Sequence, residues 1–593
     1  MKKQNLMILF LSVASLVSCK EKSKSVQIEL NLSKNEENGV IVLDETQVSG
    51  DIDIFLKGTM DDGGIQILSN GKDSVNIFLN CVNINSSEYP CIEIKKGSPV
   101  NIYLNGKNTL TDGRTYGKKY GTKNEAGEKI GSDSSGTLYS KGSINFFAEN
   151  KTASLTINEN YEHCISSKKD IVINGGIFNL NSTGRDGINA LTSFTMNGGT
   201  LNISGTGENI NNQSRGIIVK GTDDAKKGYD GNGFIKINDG IINIRTYGKA
   251  ISAKWKVGED ESKSEKKVEV DPSIYIYGGK FNIETYGQIQ DKMFGEEATF
   301  TDSEGKTVTE VLKCAPEGIE AKKNVNIYGG DFTICTTDDA INSSTTGNNI
   351  NIYGGSLYLS SSMGDGLDSN GNILIEGGKL VAEAVMQSEH ALDCGEGYKL
   401  TINGGNVLGI SGTDFIEGDW SDSKQKYLNL KSSKKRDSFM PPPPQFDNEN
   451  QTDGKTNSAN EKNWKYREAG QFREPPDNSK MPSGMNFAGG RMPPPPQSSP
   501  ANMISQDFPF DKMRPPLTKS ENTIVLEKEK VSSIAVLSET SKVLAACKIL
   551  TESFGFITLS TPELNDFDSE KGSIKLNATV TGGEDFHGLW ITD

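Results

Sequence analysis

Apolar residues along this chain alternate with polar ones in short bursts, and one burst recurs eight times. It reads apolar, x, apolar, x, Gly-Gly (or Asp-Gly), x, apolar, x, apolar, and begins at Ile171, Phe194, Ile235, Ile274, Val325, Ile350, Ile373 and Leu400. Alternation on both sides of the glycines predicts two short strands, each with one buried face. The glycine pair supplies the bend between them. A second phrase lies between the glycine pairs. It appears as Asp186-Gly-Ile-Asn189, Lys249-Ala-Ile-Ser252, Glu317-Gly-Ile-Glu320, Asp339-Ala-Ile-Asn342, Asp365-Gly-Leu-Asp368 and His390-Ala-Leu-Asp393. This predicts a third strand in each repeat.

Spacing converts these strands into an architecture. Four of the seven gaps between successive glycine pairs are 23 to 27 residues, and the longer gaps contain polar insertions. A period in the twenties built from short strands marks a solenoid. The Leu-x-x-Leu-x-Leu pattern of leucine-rich repeats is absent. The expected fold is therefore all-β: a right-handed parallel β-helix, a three-sided solenoid with a small C-terminal β unit. Cys91-Ile-Glu-Ile94 and Leu138-Tyr-Ser140 extend the coils back toward residue 40.

The ends read differently. Lys2 and Lys3 precede an apolar run from Leu6 to Val17, which closes in Leu16-Val17-Ser18-Cys19. That is a secretory signal, too short to span a bilayer well, ending in a sequence that resembles the bacterial lipobox. Lipidation of Cys19 and loss of residues 1–18 are expected. The membrane is then met through the lipid anchor only, and residues 19–39 form a tether. The solenoid is expected over 40–430. Residues 431–518, rich in Pro and Asn, cannot form a core and read as a linker or insertion. Residues 519–593 form a terminal β unit or cap. Lys20 and Glu21 point to export to the outer-membrane surface of the cell envelope.

Composition limits the partners. Formal charge is −15, with no basic stripe evident in the sequence, which argues against nucleic acid and leaves room for cations. With three histidines and eight cysteines in no paired spacing, neither a zinc cluster nor a disulfide framework is indicated. The run Glu259–Glu269 is a solvated loop. A monomer is expected.

Stacking brings equivalent positions of successive coils together. The residue after the inward Ile or Leu forms an outward column, Glu320, Asn342, Asp368, Asp393, with Asp339 and Asp365 at the preceding corner. Carboxylates about 4.8 Å apart repel by roughly 1 kcal/mol in water and several at lower effective dielectric. No lysine of these phrases interleaves between Asp338 and Asp393. Hard oxygen ligands of this kind suit Ca²⁺. The alternative is turn chemistry, with each side chain bonding its own backbone. A second column, Tyr277, Tyr328 and Tyr353, faces outward by parity and suits either sugar stacking or self-stacking.

The order Ile77–Ile84, Val100–Leu110, Leu138–Gly142 and then the Asp-Gly-Ile coils resembles the carbohydrate-binding-domain β-helix family of bacterial surface lipoproteins. The resemblance covers about residues 40–420 and continues in the Met/Pro-rich insert and in Ile557–Leu564. It implies a calcium-containing protein that binds cellulose- or pectin-like polysaccharide. The family in turn resembles the ninth-family polysaccharide lyases, whose calcium is held by an Asp-Asp-x-x-Asp corner and a neighbouring aspartate. By that resemblance Asp338, Asp339 and Asn342 fit one corner, and Asp365 with Asp368 the next. The lyases also use a lysine as base. Here the next coil presents His390-Ala-Leu-Asp393, and an aspartate beside calcium is a poor base for a C–H proton. Binding without catalysis is therefore expected. The alternatives are a calcium-dependent uronate lyase and a structural adhesin.

Overall fold

The computed structural model describes residues 26–432, except 35–38, 45–49, 116–117, 119, 122–130, 208–212, 256–266, 290–296, 302–306, 312–313 and 414–416, and residues 523–591, except 527–530, 550–553 and 581–582. Cys19, the expected signal peptide, most of the charge run after Glu259 and nearly all of the Pro/Asn-rich segment lie outside the described residues.

The eight glycine phrases stack in register. The first strands pair in parallel as Ile171, Phe194, Ile235, Ile274, Val325, Ile350, Ile373 and Leu400. The second strands pair likewise, from Ile177 through Thr200, Ile241, Lys280, Asp331, Ser356 and Lys379 to Asn406. The third strands form a separate parallel sheet of 12, from Gly39–Leu43 to Leu392–Cys394. First and second strands merge into one larger sheet because Val75–Ser86 runs unbroken past the bend, pairing with both Val100–Asn105 and Lys107–Asp112. The result is a long all-β solenoid. Pairing begins earlier than the expected tether allowed: Val26–Asn31 already lies parallel to Ile52–Lys57.

Two columns explain why the register holds. The second glycine of each phrase has positive φ, from +87° at Gly405 to +128° at Gly240. A Cβ on Gly378 would lie 2.6 Å from the carbonyl oxygen of Gly355 in the coil below, so a side chain is excluded twice, by φ and by approach. On the outer surface, Asn202 donates to Asn179 at 2.9 Å, Asn243 to Asn202 at 2.8 Å and Asn282 to Asn243 at 2.7 Å. A one-residue slip would break this ladder and turn every inward isoleucine outward. Inside, one continuous core holds Ile173, Leu180, Ile235, Ile276 and Ile327 fully buried, with Phe281 stacked on Phe332 at 4.4 Å between ring centres. Burial of each such side chain contributes about 1.5–3 kcal/mol.

The last coil meets a strand of opposite direction. Phe556–Ser560 pairs antiparallel with Asn406–Ser411 and with Leu428–Ser432, and Thr523–Leu526 adds parallel to the latter. A small sheet of five strands, including Ser533–Leu537 and Val543–Lys548, packs Ile534 and Val536 against Tyr358, Val381 and Leu408 on the outside of the final coils.

Candidate metal and glycan site

The second phrase starts a column that runs up one corner of the solenoid: His163, Asp186, Arg215, Lys249, Glu317, Asp339, Asp365 and His390. Backbone bonds tie its members coil to coil: Gly216 N–H donates to the Lys249 carbonyl, Ala250 to Glu317, Gly318 to Asp339, Ala340 to Asp365 and Gly366 to His390, all at 2.9–3.0 Å. The inward Ile or Leu two residues on anchors each corner in the core.

In the lower half of this column the charges cancel. Arg215 Nε lies 2.7 Å from the fully buried Asp186, and His163 Nδ1 lies 3.3 Å from the same carboxylate. Burial holds the His163 imidazole down at about 3 despite Asp186, so it stays neutral near pH 7. Arg215 and His163 hold Asp186 well below the usual carboxylate range against its burial. One coil up, Lys249 Nζ reaches Glu317 at 2.6 Å and Glu320 at 3.2 Å, while Lys322 Nζ takes the other Glu320 oxygen at 2.8 Å. Glu320 is thus a neutralised, buried residue (2% exposed) rather than the outward ligand its position in the alternation suggested. Asn342 is also covered, at 5%. Strand parity alone does not reveal this burial.

In the upper half the charges do not cancel. Single carboxylate oxygens of Asp339, Asp365 and Asp368 lie within 4.8 Å of one another, and so do ligand atoms of Asp365, His390 and Asp393. Asp339 and Asp368 are in direct carboxylate contact, and so are Asp365 and Asp393. Burial first, then the neighbouring carboxylates, drives the protonation of Asp365 and Asp368 far above the usual range. Among the described residues, no lysine or arginine forms an ion pair with any of these four aspartates, and the nearest cationic candidate is His390 Nδ1, 3.7 Å from Asp393. Burial holds His390 near 4, so it is neutral as well.

Asp339 Oδ1 accepts the Asp365 N–H at 2.9 Å, and Asp365 Oδ1 accepts the His390 N–H at 2.5 Å, main-chain bonds that reach the next coil and not the residue's own turn. One oxygen of each aspartate is therefore used to hold the next coil, and the carboxylates still converge. Asn342 Nδ2 donates to Asp339 Oδ2 at 2.7 Å, yet its buried Oδ1 has no hydrogen-bond partner among the described residues. A buried amide oxygen without a donor is costly, and a cation beside it would satisfy it. Asp338 falls outside both three-residue groups; burial and Asp339 push its carboxyl up as well. His390 is a candidate ligand that the sequence reading passed over as a missing base. Its place in the corner column after Asp339 and Asp365 was the signal.

The tyrosines occupy a different corner, at the glycine bend. Tyr277, Tyr328 and Tyr353 are 47%, 42% and 41% exposed and stack at 4.8 and 4.9 Å between centres, with their rings nearly parallel. Beside them a shallow groove of about 660 Å³ is floored by Gly240, Gly279, Gly330 and Gly355. The acidic cluster and the aromatic column thus flank the second strand from opposite ends.

Fold and site together define a parallel β-solenoid with a carboxylate cluster on one corner and an aromatic column on another. A family profile described as carbohydrate-binding domain-containing protein matches residues 44–366, more than half of the chain, and the protein belongs to that family. Asp338, Asp339, Asn342 and Asp365 lie inside the match; Asp368 and Asp393 lie beyond it. No curated protein matches the sequence. Among solved structures, a polysaccharide lyase-like protein from C. thermocellum aligns over 42% of this chain and 96% of its own, at 18% identity and a TM-score of 0.30.

Proposed function

We propose that this protein binds acidic, pectin- or cellulose-like polysaccharide through a Ca²⁺ held by Asp339, Asn342, Asp365, Asp368 and Asp393, without chemically altering it. One observation carries the reading: two carboxylate–carboxylate contacts, Asp339–Asp368 and Asp365–Asp393, stand in a buried corner with no arginine or lysine ion pair among the described residues. Such contacts need a shared proton or a cation. Ca²⁺ takes six to eight oxygens in flexible geometry, and an ion held by protein carboxylates keeps positions for the uronate of a sugar. The tyrosine column offers a flat apolar surface for sugar rings. Repetition along the coils gives a polymer several footholds at once.

The coils are read as right-handed and three-sided, and the chain as a monomer held at the outer-membrane surface by a lipid on Cys19. Titrating Ca²⁺ into chelator-treated protein, then measuring polygalacturonate binding with and without EGTA, tests the reading. Tight Ca²⁺ binding that is lost in Asp365→Asn, together with weaker glycan binding in EGTA, is the expected result. Glycan binding indifferent to EGTA ends it.

One observation favours the lyase alternative. Burial, with Arg215 and Lys249 nearby, brings the Lys254 amine down to about 7, where it can accept a proton near neutral pH. It lies two coils below Asn342. Unsaturated products released from polygalacturonate, and absent with Lys254→Ala, would establish that activity.

A further inference from the structure

A third column runs along the end of the third strands. The residue that follows each strand donates its N–H to the coil below: Lys141 to Ile94, Lys168 to Ser140, Leu191 to Ser167, Lys220 to Ala190, Lys254 to Val219 and Lys322 to Ala253, at 2.7–3.1 Å. With Lys95, which donates to Ile67 one coil earlier, six of these seven successive positions are lysine. The sequence hid this because Lys254 and Lys322 are 68 residues apart, and only the stacking makes them neighbours.

The two ends of the column are neutralised and its middle is not. Lys95 pairs with Glu93 at 2.6 Å and Lys322 with Glu320 at 2.8 Å. Lys141, Lys168, Lys220 and Lys254 form no ion pair with any described residue. Lys168 instead lies 5.9 Å from the centre of the Tyr139 ring. Arg215, at the other end of the same strand as Lys220, spends its charge on Asp186. In a protein of net charge −15, four lysines on five successive coils, broken only at Leu191 and forming no ion pair with a described residue, leave positive charge that an anion from outside can meet, with Lys254 part-charged near pH 7. Burial, with Arg185, Arg215 and Lys168, lowers the Lys220 amine although Asp186 acts the other way, so the surroundings undercompensate its charge.

We propose that the column Lys141, Lys168, Lys220 and Lys254 is an anion-binding track for the carboxylate or sulfate groups of an acidic polysaccharide. This rests on the glycan-binding reading above and adds to it a second contact, independent of Ca²⁺. The track and the aspartate cluster lie along one sheet, with Lys254 two coils below Asn342, so a single extended polymer meets both. Duplex DNA carries a denser charge that a −15 protein repels, and four lysines are few against it.

The test uses the mature protein in EDTA, which removes the Ca²⁺ contribution, with polygalacturonate, carrageenan, neutral dextran and duplex DNA as probes. Lys220→Ala/Lys254→Ala is expected to weaken polygalacturonate or carrageenan binding at least about tenfold and to flatten the salt dependence by about two released ions. The more affected glycan tells carboxylate from sulfate. Lys220→Arg/Lys254→Arg should restore affinity, and dextran should be indifferent. Thermal stability and Ca²⁺ affinity of the alanine variant should match wild type, which separates a lost contact from a lost fold. Unchanged affinity and salt slope overturn the proposal, as does DNA that binds more tightly than both anionic glycans. If Ca²⁺ has no effect on glycan binding but the lysine variant does, the calcium reading falls and this one stands.

Discussion

The lower and upper halves of the charged corner are built on one backbone plan and differ in how their charge is settled. From His163 to Glu320 each buried carboxylate has a cation of the chain's own: Arg215 for Asp186, Lys249 for Glu317, and Lys249 with Lys322 for Glu320, although burial and Glu320 still push the Glu317 carboxyl up. From Asp339 to Asp393 the carboxylates face each other. Stacked coils place like positions side by side, so a corner of equal residues is stable only if the charge alternates or something else enters. The lower half shows that the fold can supply its own counter-charge. Its absence above is therefore a property of the site and not of the architecture.

Variants can pull the two halves apart. Arg215→Leu strands Asp186 as a fully buried charge and should cost about 3–5 kcal/mol in urea unfolding, with or without Ca²⁺. Asp365→Asn should do the reverse in chelator, raising the stability of the metal-free protein by removing a repulsion. It should also forfeit the gain of about 2.7 kcal/mol that wild type shows when Ca²⁺ is present at about 100 times its Kd. Were Asp365→Asn to destabilise the chelated protein, the carboxylates would be serving their own main chain.

Acid should act on the lower half through His163. Its folded value, about 3, lies below the unfolded value near 6.5, so the unfolded state binds the extra proton and stability is lost as pH falls between those limits. Buried Glu159, raised to about 7, works in the opposite direction between pH 7 and about 4.5 and masks the effect in wild type alone. The comparison is therefore with His163→Gln: wild type should lose up to about 1.4 kcal/mol relative to the variant for each pH unit below 6.5. A flat difference would mean that His163 is charged in the fold. Smallest is Tyr328→Ala. Ending two ring stacks at an exposed position should cost about 1 kcal/mol of stability and leave Ca²⁺ affinity unchanged, while glycan affinity falls.

The stacking was legible because it is written in small, repeated units. The second glycine of each pair marks a position where only glycine fits, and the first strands pair one to the next as the phrase predicts. Asp339, Asp365 and Asp368 could be brought together by the same counting. What counting missed depends on neighbours that the phrase does not contain. Glu320 reads as one more acid in a row, but Lys249 and Lys322, from the coil below and from its own strand end, cancel it. The lysine column was invisible because insertions separate its members by unequal lengths. The burial of Glu320 and Asn342 was likewise beyond a rule of alternation.

The strand Phe556–Ser560 has a consequence for how the molecule comes into being. It runs against the direction of the coils and covers the edge at Asn406–Ser411, so no further coil, from this chain or another, can add there in parallel. That plug follows every coil strand in sequence. A chain emerging from its N-terminus completes its coils while their last edge is still bare, and growth is ended only by a segment made after them.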